Sequence, residues 1–166
     1  MAEILARDRL YPALLDRLTD DSPDHTSEAR DGRAFSWQRL RENVLRDLAW
    51  LFNTTRLDAE ELGDYPEIAR SVLNYGLPAL SGRPATQADL PAIERALRQA
   101  IIDFEPRLIP NSVFVRAEKT DGHSTNFNVI SFRIEAKMWA RPVPLELYLR
   151  TDLDLETGQS LVREAG

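Results

Sequence analysis

The hydrophobic period of this chain changes once, near Pro110, and that change constrains the fold more than any other feature of the sequence. Before Pro110, apolar residues recur three and four positions apart, as they do on the buried stripe of a helix. After it, they alternate with polar residues, which is typical of a strand with one face in water. Helices followed by strands predict an α+β domain, with N-terminal helices packed on one face of a small antiparallel β-sheet.

Two of the predicted helices have clear ends. One begins at Ser36, a good N-cap, and stops near residue 53. The other is capped by Thr86 or Asp89 and ends before Pro106, because proline lacks the N–H that a further turn would need and restricts the residue before it. Apolar residues at helical spacing form the buried stripe of this helix: Leu90, Ile93, Leu97, Ile101 and Phe104.

A third helix is predicted between these two. It begins at Asp64 and continues through Val72 and Leu73, which the pattern places inside the helix. Gly76 is expected to end it in the left-handed conformation, with Pro78 preventing continuation.

Strands are predicted after the change of period. Alternating residues indicate strands at 113–115, 126–138 and 145–150, with a turn around 156–158 after the last of them. A small open sheet of this kind has exposed edge strands, which either need protection or accept a strand from another chain.

The composition along the chain divides it into four parts. Residues 1–18 are predicted to form an N-terminal helical arm, with the helix at 7–18, and the polar residues 19–35 a flexible linker. The α+β domain is expected at 36–158, followed by a C-terminal tail at 159–166. An arm on a linker is typical of a protein that binds a partner.

Overall composition excludes several classes of function. The chain has no cysteine, so it can form no disulfide and no cysteine-ligated metal site. His25 and His123 lie in separate polar segments without the carboxylates that a metal would need, and no glycine-rich phosphate loop is present, so no metal or cofactor is expected. A net charge of −6 argues against nucleic acid as a partner. The sequence contains no signal-peptide pattern and no membrane-spanning run, so a soluble, cytoplasmic chain without direct membrane insertion is expected.

Glu105 is the residue most open to a catalytic interpretation. It follows the helix that ends before Pro106, where a carboxylate is unfavourable to the helix dipole and needs solvent, Arg107 or a cation on a partner. Glycoside hydrolysis requires a second carboxylate across a cleft, and Asp103 is expected on a different side of the helix end. Arg107 would also favour the charged form of its neighbour, whereas a general acid must be protonated. The sequence therefore predicts that this chain is not an enzyme.

Four segments together resemble the TssE family, the small type VI secretion baseplate proteins related to the wedge component of contractile phage tails. They are RLYPALLDRL at 9–18, LRDLAWLFNT at 45–54, SVLNYGLP at 71–78 and FEPRL at 104–108. The resemblance extends over nearly the full chain, and the last two segments are its specific part.

This resemblance implies a structural role. Proteins of the family join TssF and TssG in a baseplate wedge around the spike hub, at the inner face of the bacterial inner membrane, and provide the platform on which sheath subunits (TssB/TssC) begin to polymerise. The family motif, here Glu105, Pro106 and Arg107, implies partner binding in the wedge core. A lysozyme-like, peptidoglycan-cleaving activity is the alternative that some relatives' description suggests.

Two interpretations of the motif stay open at this point. In one, Glu105 and Arg107 point outward and bind polar groups on partner helices, with Pro106 holding the turn. In the other, they form an internal pair that ties the helix to the sheet.

Overall fold

The computed structural model describes residues 14–19, 24, 37–57, 62–69, 71–80, 89–118, 128–140 and 143–165. Helices precede strands in this part of the chain, as the change of period predicted. The helices are α1 (Leu14–Leu18), α2 (Trp37–Phe52), α3 (Pro66–Ala69) and α4 (Leu90–Phe104); the strands are β1 (Phe114–Glu118), β2 (Val129–Met138), β3 (Leu145–Asp154) and β4 (Ser160–Glu164). Short 3₁₀ turns lie at Val72–Asn74 and Pro110–Ser112. Among the described residues, no helix is both long and apolar enough to cross a membrane.

The four strands form one antiparallel sheet in the order β1-β2-β3-β4. Helix α4 contacts β1, helix α2 contacts β4, and the two helices contact each other, so both lie on the same side of the sheet. The strands direct most of their apolar residues toward these helices; on β2 the buried residues of this face are Ile130, Phe132, Ile134, Ala136 and Met138. The predicted α+β fold is confirmed.

Helix α4 has the ends that the sequence predicted. Asp89 is its N-cap, and the carboxylate oxygen of Asp89 accepts a hydrogen bond of 3.0 Å from the backbone N–H of Ala92. The last helical residue is Phe104, directly before Glu105. The alternative cap Thr86 lies outside the described residues, as does Ser36 before α2.

The predicted helix over residues 64–73 is wrong in its second half. Helix α3 ends at Ala69, and Ser71 then caps a 3₁₀ turn in which Val72 and Leu73 are 81% and 82% exposed. The Ser71 hydroxyl donates to the Ile68 carbonyl and accepts from the Leu73 N–H, which turns the chain out of the helix. The helical spacing of the apolar residues in this segment therefore does not mark a buried stripe.

Gly76 is required for a reason that the sequence did not show. Its φ of 128° lies in the region that favours glycine, and a Cβ there would lie 2.3 Å from the backbone oxygen of Thr54. That oxygen accepts a 2.8 Å hydrogen bond from the N–H of Leu77, which pairs residues 54–56 with the segment after Gly76. The glycine permits a close approach of two backbone segments rather than simply ending a helix.

The C-terminal segment is part of the sheet. The sequence predicts a tail outside the domain at 159–166, but Ser160–Glu164 forms β4 and pairs with β3 from Leu149 to Leu153. The alternation of this strand is weak, because Leu161 is 61% exposed and Val162 is only half-buried. Backbone pairing rather than a buried apolar face therefore holds the segment.

Candidate partner-binding site

The predicted motif lies at the corner where α4 leads into the sheet. Glu105 is the C-cap of α4, and its backbone N–H donates to the Ile101 carbonyl at 2.9 Å. Its side chain is buried, at 3% relative exposure, whereas Pro106 is exposed. Two residues later, Leu108 is buried and pairs with Met138 at the end of β2. The motif thus joins the helical half of the domain to the sheet.

Arg107 holds the Glu105 carboxylate at both oxygens. Its Nε donates to Oε1 at 2.7 Å, its Nη2 donates to Oε2 at 2.5 Å, and its backbone N–H donates to Oε1 at 3.1 Å. This is the bidentate geometry that makes Arg–carboxylate pairs strong and directional. Arg107 Nη2 also donates to Oδ2 of Asp47 on α2, at 2.5 Å. We call Asp47, Glu105 and Arg107 the corner network.

The corner network satisfies the buried carboxylate that the helix dipole disfavours. Burial lowers the pKa of Arg107, but hydrogen bonds and charges from Glu105 and Asp47 outweigh it and place that pKa above its ordinary value. The guanidinium therefore stays charged throughout the pH range in which proteins are studied. Among the described residues, Arg107 Nη1 is buried and has no hydrogen-bond partner, so the network leaves one donor unused.

The segment that precedes Gly76 also reaches the corner. The Tyr75 hydroxyl donates to the backbone carbonyl of Asp47 at 3.2 Å, and its ring packs edge-on against Phe104, with 5.1 Å between centroids. Burial raises the pKa of Tyr75, as do the negative charges of Asp47 and Glu105, so the phenol remains a donor at neutral pH. Both specific segments of the sequence resemblance, 71–78 and 104–108, therefore meet at one place.

A second set of ion pairs connects the corner network to the arm. Arg46 Nη2 lies 2.8 Å from Oδ1 of Asp47, and Arg46 Nη1 donates to Oδ1 of Asp16 on α1 at 2.7 Å. Asn43 donates to the other oxygen of Asp16 at 2.9 Å. The polar side of α1 thus contacts the domain; its leucines are exposed, at 69% for Leu14, 45% for Leu15 and 73% for Leu18.

Only part of the arm prediction can be compared with the structure. Helix α1 lies within the predicted helix at 7–18, but residues 1–13 are outside the described part of the chain, and of the predicted linker only Thr19 and Asp24 are described. His25 and His123 also lie outside it. Within the described residues, no group of three or more His, Asp or Glu side chains is placed to hold a metal ion.

Sequence reasoning found Glu105 and Arg107 but missed the residues that complete the site. Asp47 is separated from Arg107 by 60 positions, and no local pattern links them. Tyr75 lies in a segment that sequence reasoning assigned to a helix end. A signal for Asp47 was available, because it is a carboxylate inside the family-like segment 45–54.

The fold and the corner network define a small α+β subunit with an ion-paired joint between its helices and its sheet. The chain belongs to the family described as baseplate wedge protein gp25, which matches it over residues 38–143. This match confirms the resemblance to the TssE wedge family identified from the sequence, and it gives the chain a structural role in a baseplate.

Two further comparisons complete the description. A chain in a solved structure described as the baseplate complex from the type VI secretion system is similar to this one, with 19% sequence identity and a TM-score of 0.42; the match covers 77% of this chain and 97% of that chain. Comparison with curated proteins finds no significant match.

Proposed function

We propose that this chain is the wedge subunit that joins TssF and TssG in a type VI secretion baseplate, at the cytoplasmic face of the inner membrane. The observation that carries the proposal is its membership of the wedge family over residues 38–143, a range that contains the whole corner network. The network ties α2, α4 and the start of the sheet together by charged groups rather than by apolar packing alone.

The geometry suggests how one motif serves both the fold and a partner. The Glu105 carboxylate is turned inward and fully used by Arg107, so it fixes the corner. Pro106 is exposed, and the side chains of Arg107 and Asp47 keep 22% and 23% of their surface accessible. We infer that partner helices contact these exposed parts. Glu105 then acts as the internal member of the site, and Pro106 and Arg107 as its outer members.

Three variants test this division. Glu105→Ala and Arg107→Ala should lower the melting temperature of the isolated protein and abolish co-purification with TssF and TssG. Arg107→Lys keeps the charge but loses the bidentate geometry, so it should weaken co-purification more than an equivalent change elsewhere. The matched control is Arg95→Lys, at an exposed position of α4. Undiminished co-purification by folded Arg107→Ala protein would contradict the proposal.

We also propose that β4, rather than β1, is the edge that pairs with sheath subunits. Helix α4 occupies part of the β1 edge: Glu94 accepts from the Ala117 N–H at 2.7 Å, and Arg98 donates to the Val113 carbonyl at 2.9 Å. On β4, Asn53 occupies both backbone groups of Ser160, at 2.8 Å each. The register with β3 directs the backbone groups of Val162 away from the sheet, where a further strand would pair.

A proline substitution tests this edge without breaking the sheet. In Val162→Pro the missing N–H is an outward one, so pairing with β3 is retained while strand addition is blocked. Val162→Thr keeps the N–H and serves as the matched control. We expect Val162→Pro cells to lack fluorescent sheaths although the variant still co-purifies with TssF and TssG. Normal sheath growth in those cells would exclude pairing at β4.

The lysozyme-like alternative finds no support at Glu105. A general acid must be reachable by substrate, whereas this carboxylate is buried and accepts three hydrogen bonds from Arg107. We propose that the chain is not a glycoside hydrolase. Release of soluble fragments from peptidoglycan by the purified protein would overturn this, provided that Glu105→Gln abolished the release.

A further inference from the structure

Four arginines lie side by side across the open face of the sheet. The register pairs Arg116 with Arg133, Arg133 with Arg150, and Arg150 with Arg163, one residue from each strand. With neighbouring strands about 4.8 Å apart, the row spans roughly 14 Å. We call these four residues the arginine row. It is on the face opposite to the helices, and its side chains are 42% to 80% exposed.

Like charges placed directly opposite each other destabilise a sheet, so the arginine row needs compensation. Two carboxylates on the same face, each two residues further along its strand, compensate the charge of three of the arginines. Glu118 lies 2.9 Å from Arg133 and 3.3 Å from Arg150. Asp152 lies 3.1 Å from Arg150 and also pairs with Arg163.

Arg116 is the member of the row that this compensation does not reach. Its one ion-pair contact among the described residues is Glu94 Oε2 at 3.9 Å, and its side chain is 80% exposed. Glu94 is itself held at the strand edge, because its other oxygen accepts from the Ala117 N–H. The guanidinium therefore has most of its donors available to a group from outside the chain.

Arg116 lines a shallow cleft on this face. The cleft has a volume of about 220 Å³ and is lined by Phe114, Arg116, Arg133 and Glu135. Phe114 is 56% exposed although it belongs to a strand, so an apolar surface lies beside the available charge. Glu118 pairs with Arg133 at 2.9 Å, so Arg116, whose carboxylate contact among the described residues is at 3.9 Å, is the cation of this cleft that is open to a further carboxylate.

We propose that this cleft binds a carboxylate side chain from an acidic segment of another baseplate protein. Arg116 binds the carboxylate through its guanidinium fork, and Phe114 packs against the methylene groups or a neighbouring apolar residue of that segment. The exposed guanidinium of Arg116 can bind one carboxylate. A phosphate backbone carries a negative charge at every nucleotide and would be repelled by a chain of net charge −6, whereas a single carboxylate needs only Arg116, so a protein segment is favoured over nucleic acid. The proposal relies on baseplate membership but not on the corner network.

Zero-length crosslinking in the assembled baseplate tests the contact directly. Arg116→Lys keeps the positive charge and places a primary amine at position 116, which carbodiimide can join to a carboxylate in contact with it. Arg95→Lys, at an exposed site of α4, controls for random encounters. We expect mass spectrometry to find links from position 116 to Asp or Glu of a different protein, at least tenfold above those from position 95.

Other outcomes would overturn the proposal. Links only to Glu94 of the same chain, links to a second copy of this chain, or equal yields from positions 116 and 95 would each exclude the proposed partner. If nuclease treatment released this chain from the baseplate, the partner of the cleft would be nucleic acid instead of a protein.

Charge reversal gives a second, quantitative measurement. Arg116→Glu should reduce the amount of this chain that co-sediments with baseplates at least tenfold, without a change in melting temperature, whereas Arg95→Glu should stay within twofold. If co-purification with TssF and TssG survives in Arg116→Glu while co-sedimentation is lost, the cleft acts separately from the corner. Co-sedimentation of Arg116→Glu at the level of the control would overturn the proposal.

Discussion

The corner network and the arginine row use the same pair of chemical groups, guanidinium and carboxylate, in opposite surroundings. At the corner, Glu105 is 3% exposed and Arg107 contacts two carboxylates from two elements. In the row, each arginine side chain is at least 42% exposed, and Arg133, Arg150 and Arg163 share two acids among them. Ion pairs in water contribute little, whereas a buried charge that loses its partner is costly. Similar contacts in this protein therefore hold the fold in one place and leave charge available in the other.

The largest expected difference between the two regions comes from removing one arginine from each. Arg107→Ala leaves Glu105 as a buried charge without its main partner, and should lower the free energy of unfolding by about 3–5 kcal/mol. Arg133→Ala, in the row, should lower it by about 0–1 kcal/mol. Urea denaturation of the two purified variants measures both values. Equal losses of unfolding free energy in the two variants would show that the corner network stabilises the fold no more than the arginine row does.

Gly76→Ala tests whether the backbone beside the corner matters as much as its charges. The φ of 128° and the 2.3 Å approach of a Cβ to the Thr54 oxygen mean that alanine must shift one of these two backbone segments, and the segment of Gly76 also contains Tyr75, which contacts Asp47. The unfavourable backbone conformation alone should lower stability by about 1–3 kcal/mol. Gly158→Ala, with φ of 75° between β3 and β4, is the control and should cost less. Thermal denaturation ranks the melting temperatures of the two variants. An unchanged melting temperature in Gly76→Ala would show that this segment does not stabilise the corner network.

The contrast also explains how much the sequence could predict. The ends of α4 were predictable because Asp89 and Pro106 act locally, within one turn of the residues they affect. The contact of Arg107 with Asp47 was not predictable, because it depends on how α2 and α4 pack. Local pattern thus found the motif but not the residue that completes it.

The arginine row was hidden for a different reason. Arg133 and Arg150 alternate with buried apolar residues, which is the pattern of a face in water, yet which arginines become neighbours depends on the register of all four strands. One member, Arg163, lies in β4, within the segment at 159–166 that the sequence predicts to be a tail. The sequence could therefore predict that this face is exposed, but not that its four arginines lie side by side.

Asp152 allows the arginine row to be tested by pH. Burial raises the pKa of Asp152, but hydrogen bonds from Ser131 and Arg150 and the charge of Arg163 outweigh it, so that pKa lies below its ordinary value. A lowered folded-state pKa contributes stability that is present above the unfolded value of about 3.9 and is lost as pH falls through the folded value. Asp152→Asn should therefore be less stable than wild type by up to about 1 kcal/mol at pH 6.

Urea titrations of Asp152→Asn and wild type from pH 6 to pH 3 measure this dependence. The difference in free energy of unfolding should stay constant down to about pH 5 and shrink toward pH 3, as protonation removes the charge of Asp152 in the wild type too. A difference that grew as the pH fell would mean that the carboxylate is not stabilised by the row.

Salt should produce the smallest effect and separate the regions most cleanly. Raising ionic strength from 0.1 M to 1 M shortens the screening length from about 10 Å to about 3 Å, which acts on exposed charges far more than on buried ones. The stability lost in Arg133→Ala should fall to a few tenths of a kcal/mol or less in 1 M NaCl, whereas the loss in Arg107→Ala should persist. If instead the Arg107→Ala loss disappeared in salt, the corner would be behaving as a surface pair, and the burial of Glu105 would no longer account for the difference between the two regions.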